Sequence, residues 1–73
     1  MPYASNDDLP HGIRDHLPPH AQDIFRAAFN GAWHTYADAA DREEICHRVA
    51  WAAVKRRYHK RGQIWVPLAD VDD

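Results

Sequence analysis

The apolar residues Ala21, Ile24, Phe25, Ala28, Phe29, Ala32, Trp33 and Tyr36 recur at spacings of three and four. This period constrains the fold more than any other feature. It places all eight side chains along one face of an α-helix and scatters them over both faces of a strand. It predicts a helix over 20–36. Asn30-Gly31 would suggest a hairpin in a strand context. Here the helical period runs through it, so it reads as a weakened turn where Gly31 lets another backbone come close. Pro18-Pro19 closes an earlier element, because a residue before proline avoids the α region. Pro19 also suits the first turn of the new helix.

Two further helices follow from the same reasoning. Asp7-Asp8-Leu9-Pro10 offers an aspartate cap and an early proline. Ile13 and Leu17 then share an edge, predicting a short helix over 9–17 after an extended start at 1–8. Asp38-Ala39-Ala40-Asp41 is a linker. Asp41 and Glu44 stand at capping-box spacing and open a third helix over 41–60. Its apolar residues Ile45, Cys46, Val49, Ala50, Trp51, Ala53, Val54 and Tyr58 cover well over half the circumference at 100° per residue. A helix this apolar is packed on more than one side, so helix three is expected at the centre. Gly62 reads as the residue just past its C-terminus. Gln63-Ile64-Trp65-Val66-Pro67 is β-prone. Its expected partner is the N-terminal segment, in a two-stranded patch with Met1–Ala4. Residues 68–73 form a loose acidic tail. The expected fold is therefore mainly α: one compact three-helix domain over 1–73.

Length and composition exclude several classes. A 73-residue chain allows one domain whose core has little to spare. A single cysteine builds no disulfide framework, and Cys46 reads as a small buried hydrophobe. No apolar run approaches the ~18 residues of a membrane span. The opening Met-Pro-Tyr-Ala-Ser-Asn-Asp-Asp has neither the basic nor the apolar part of a secretory signal, so the expected location is the cytoplasm.

Catalytic and metal chemistry find little support. His16 and His20 are four apart, but Pro18-Pro19 breaks the helix between them. Glu43 and His47 share a helical face, but Cys46 points about 100° away from His47, and a zinc site wants four converging ligands. Cys46 has no base placed to reach its sulfur. No glycine-rich phosphate loop is present. No enzyme activity, metal or cofactor is expected. The aromatics Phe25, Phe29, Trp33, Tyr36, Trp51 and Tyr58 are assigned to the core.

Charge supplies the one strong candidate. The net charge is -2, yet residues 41–61 carry seven Lys/Arg against three acids. Lys55-Arg56-Arg57-Tyr58-His59-Lys60-Arg61 holds five of those cations. On a helix they form a collar, not a stripe, at a C-terminus that cations favour. Asp70, Asp72 and Asp73 in the tail are placed to fold back and offset part of it. Trp65, in a short apolar run, is the aromatic best suited to touch a partner; packing over the ends of helices one and three is the competing reading. The candidate contact residues are Lys55, Arg56, Arg57, Lys60, Arg61 and Trp65.

Several motifs carry a family resemblance. They are Met1-Pro2-Tyr3, Asp8-Leu9-Pro10, and Leu17-Pro18 with His20-Ala21-Gln22-Asp23-Ile24-Phe25. Next come Ala28-Phe29-Asn30, Ala32-Trp33 and Tyr36. Arg42-Glu43-Glu44, His47, Val49-Ala50-Trp51-Ala52-Ala53-Val54-Lys55 and Tyr58 complete them. Over residues 1–58 the chain resembles the ChaB family of small bacterial proteins, designated cation transport regulators. The resemblance implies a compact helical domain with a very small sheet. It implies a regulatory role on a sodium or calcium/proton antiporter of the ChaA type, through a protein partner. Virus-encoded relatives described as DNA-binding imply the alternative, nonspecific nucleic-acid binding through the basic end of helix three. The family brings no catalytic residues.

Overall fold

The computed structural model describes residues 2–68. After an extended start, a 3-10 turn spans Asn6–Asp8, followed by α1 (His11–Arg14), α2 (Pro19–Thr35) and α3 (Arg42–Lys55). A hairpin of β1 (Tyr58–Arg61) and β2 (Ile64–Pro67) closes the described chain. The fold is mainly α with a two-stranded antiparallel sheet, as the apolar periods predict.

The core is built on a spacing of four. Leu9, Ile13, Leu17, Ala21, Phe25 and Phe29 are all buried, as are Cys46, Ala50, Val54 and Tyr58. On a helix that spacing makes one stripe. α2 and α3 lay their stripes against each other, joining Ala21, Phe25, Phe29 and Ala32 to Cys46, Ala50 and Val54 in one buried cluster. α3 buries Cys46, Ala50 and Val54 in this stripe and is packed on more than one side, against α2 and against the hairpin. The second side of α3 is half-buried. Trp51 contacts Phe25 at 5.2 Å between ring centroids and Trp65 of the hairpin at 5.4 Å. Tyr36, expected in the core, is 41% exposed, because it sits just past the end of α2.

The N-terminal segment does not pair with residues 63–67. It is strapped across α2 instead. The Asn30 side chain accepts from the Tyr3 amide at 2.8 Å and donates to the Tyr3 carbonyl at 2.9 Å, doing what a neighbouring strand would do. Arg26 Nε donates to Asn6 Oδ1, and Asn6 donates to Asp23. Gly31 is exposed, with nothing within 4 Å of where a Cβ would sit; the expected close approach is absent, and the weight of the Asn-Gly pair falls on Asn30.

α2 opens on Pro19, as proline in a first turn predicts; the helix expected over 9–17 is shorter, His11–Arg14, and neither aspartate cap forms. α1 begins after Pro10 with no side-chain cap; Asp8 accepts from the Ser5 amide within the preceding turn. Asp41 is the residue before α3 but makes no capping hydrogen bond, and Glu44 accepts from Arg48 at 2.7 Å. The α2–α3 connection is closed by Arg42. Its guanidinium donates twice to the Trp33 carbonyl and lies 3.7 Å over the Trp33 ring.

Helix three ends at Lys55, not at 60. Arg56 and Arg57 turn the chain, and residues 58–61 pair with 64–67: Tyr58 with Pro67, His59 with Val66, Lys60 with Trp65, Arg61 with Ile64. Gly62, φ +62°, is the first residue of the two-residue loop, where hairpins require a positive φ, and not a helix terminator. Gly62→Ala is expected to cost about 1–2 kcal/mol, read as a lower urea midpoint; an unchanged midpoint would contradict this turn. Residues 69–73, including the expected fold-back of Asp70, Asp72 and Asp73, lie outside the described residues.

Candidate functional site

The five cations do not form a helical collar. Only Lys55 is helical. Arg56 and Arg57 occupy the connecting turn, and Lys60 and Arg61 are on β1. All five are exposed. Among the described residues none has a carboxylate within ion-pair distance; the two ion pairs are Arg26–Asp23 and Arg48–Glu44.

Strand geometry explains how they are distributed. Side chains alternate across a sheet, and Tyr58 points into the core at 5% exposure. Lys60 therefore shares the inward side, paired with Trp65, while Arg61 stands on the opposite face near the tip. Trp65 is half-buried against Trp51. The competing reading of Trp65, packing over helix ends, is closer to what is observed, and part of its surface stays open.

The result is two grooves. One is a hollow of about 390 Å³ between Lys55, Lys60, Trp51, Trp65, Gly12 and His16. The other, of about 430 Å³, lies between Arg56, Arg57, His20, Ile24 and Ala53. Lys55 and Lys60 thus border the two indoles, whereas Arg56 and Arg57 border Ile24, Ala53 and the His20 ring. Arginine forks onto carboxylates or phosphates in two-pronged fashion, whereas lysine acts as a point charge. The two sides accordingly offer different chemistry.

Several contributors were not among the predicted contact residues. His16 lines the lysine groove, and its Nδ1–H reaches the Gln63 carbonyl at 3.0 Å, pinning the hairpin to the end of α1. His20 lines the arginine groove beside Tyr58. With the helix broken between them, their spacing of four is not that of a metal pair. The break at Pro18-Pro19 instead sends one histidine to each groove. Among the described residues no three of His, Cys, Asp or Glu gather to hold a metal ion, and no helix is long and apolar enough to cross a membrane. Cys46 is fully buried.

The model of the ChaB family matches residues 9–67. This chain belongs to the ChaB family. The matched span runs through the hairpin and takes in all six candidate contact residues, further along the chain than the motifs up to Tyr58 indicate. A relative from Escherichia coli K12, named "Putative cation transport regulator ChaB", is 52% identical over 66 residues, covering 82% of this chain and 87% of the relative. A Shigella flexneri protein of the same name matches with the same figures. An NMR solution structure under that name superposes with a TM-score of 0.82 at 46% identity, covering 90% of this chain and 97% of the other.

Proposed function

We propose that this chain is a non-enzymatic, cytoplasmic regulator of a cation transporter, a sodium or calcium/proton antiporter, acting through contact with a protein partner. The name of its relatives supports the regulatory part. The observation that carries the contact surface is the cluster of five exposed cations without a carboxylate partner among the described residues, beside the partly open Trp65. Exposed cations with no carboxylate partner among the described residues are free to meet charge on another molecule.

The test is cation flux through the reconstituted antiporter, with and without the purified chain. The chain is expected to change the flux. A variant with Lys55, Arg56, Arg57, Lys60 and Arg61 all replaced by Gln is expected to lose most of the effect. Equal effects from parent and variant would remove the cationic end from the mechanism, and no effect from the parent would remove the regulator reading.

A second reading, nonspecific nucleic-acid binding, draws on the groove where Trp51 and Trp65 stand between Lys55 and Lys60. Indoles beside cations suit stacked bases over phosphates. It predicts single-strand binding that weakens with salt at a slope of about 0.7 per phosphate neutralised. Anisotropy at near-physiological salt decides it: persistent micromolar binding, abolished when Lys55 and Lys60 are replaced together, would displace the regulator reading.

A further inference from the structure

The arginine groove does not stop at Ala53. A second hollow of about 270 Å³ continues from it over Tyr58, Pro67 and Leu68, and both hollows share His20, Arg56 and Arg57. Together they form one trough from the α2–α3 seam to the end of β2. Ile24 and Ala53 make part of its wall apolar. At the far end stands Leu68, 38% exposed, its amide fixed to the Arg57 carbonyl at 2.8 Å. The backbone that presents both arginines is therefore held. The Arg57 amide also bonds back to the Val54 carbonyl.

Two properties coincide here: a paired guanidinium rim and an aliphatic hollow. A phosphate backbone uses the rim but has no use for the hollow. It would also draw on Lys55 and Lys60, which border the other groove. A lipid surface is flat, and the trough is concave. A polypeptide carrying both carboxylates and an apolar side chain uses everything present. Its carboxylates meet the arginine forks in two-pronged hydrogen bonds. Exposed ion pairs alone bind weakly, so the affinity has to come from the apolar side chain seated in the hollow.

We propose that the trough lined by His20, Ile24, Ala53, Arg56, Arg57 and Leu68 docks an acidic segment of a partner protein, one apolar residue flanked by carboxylates. This deepens the protein-contact reading above and rests on it. It assigns recognition to the arginine side and leaves the lysine side outside it.

The experiment uses the full chain and a fluorescent synthetic peptide with one leucine between runs of glutamate, followed by anisotropy at about 0.15 M salt. Binding is expected. Arg56→Gln with Arg57→Gln should weaken it by about tenfold or more, and Lys55→Gln with Lys60→Gln should change it less than about twofold. Replacing the peptide's leucine by serine should also cost about tenfold. Both arginines are exposed, so circular dichroism of the variant should match the parent; a charge-reversed Arg56→Glu provides an independent variant at the same rim.

Absence of peptide binding overturns the proposal, and so do equal losses in the two double variants or indifference to the leucine. So does tighter binding to duplex DNA or to phosphatidylserine vesicles. Salt-sensitive self-association in sedimentation would also overturn it, because a second copy of this chain would then be the occupant. Peptide binding without any effect on cation flux would sink the regulator reading and leave the docking site. A flux effect untouched by the arginine double variant would do the reverse.

Discussion

Phe25→Ala is expected to remove about 3–5 kcal/mol of stability, the range for truncating a buried phenylalanine. A domain of 73 residues has only about 4–11 kcal/mol in total at 0.05–0.15 kcal/mol per residue. The variant should therefore lose a large share of its stability, and all of it at the low end of that range. Phe25 is 0% exposed and meets Phe29, His47 and Trp51 within 6.3 Å between ring centroids. No neighbouring side chain is free to collapse into the space, because the same rings are already committed to one another. The measurement is a urea titration followed by tryptophan emission, with Tyr36→Ala as reference. Tyr36 is 41% exposed, so its loss should stay within about 0.5 kcal/mol. A Phe25→Ala midpoint close to that of Tyr36→Ala would mean that the α2–α3 seam is not the source of stability.

The two long helices were legible because their period is repeated many times in a short stretch. Pro19 and Asp41–Arg42 were legible as boundaries because proline and acidic residues act locally. The end of α3 was not legible, and the reason lies in one residue. Tyr58 falls four after Val54, as a helical core position would, and it is buried as such a position would be. It fills that place from a strand. Gly62-Gln63 between Arg61 and Ile64 was the available signal, since a glycine opening a two-residue loop between β-prone runs marks a hairpin. The charge cluster was legible as composition, but its division into an arginine side and a lysine side was not. That division depends on strand alternation and on which end of α1 or α2 lies opposite, and both are tertiary facts. His16 and His20 became informative only once Pro18-Pro19 had sent them apart.

The strap at the N-terminus was invisible for a different reason: one side chain takes the place of an entire strand. Asn30 satisfies both the amide and the carbonyl of Tyr3, and nothing in the spacing of Asn30 distinguishes it from a helix-surface residue. Asn30→Ala is expected to cost about 2–3 kcal/mol. Two hydrogen bonds contribute about 0.5–1.5 kcal/mol each. The contact of the Tyr3 ring with Phe29, at 4.8 Å, adds about 0.5–1.5 kcal/mol when the segment lifts away. Asn30→Asp keeps the acceptor and loses the donor, so it should fall between the parent and Ala. The same strap should be sensitive to alkali. Burial, with the Glu43 carboxylate adding to it, pushes the Tyr3 hydroxyl above its ordinary 10.0. A folded-state value above the unfolded one means that the stability linked to the neutral hydroxyl is complete below about 10 and lost as pH rises through the higher folded value. Urea midpoints measured across that window should fall less in Tyr3→Phe than in the parent. In Asn30→Ala the Tyr3 contribution to the alkaline fall should shrink, because a released Tyr3 is hydrated in both states. If Asn30→Ala and Tyr3→Phe each leave the alkaline fall unchanged, the segment is not held by α2 in the way the hydrogen bonds require.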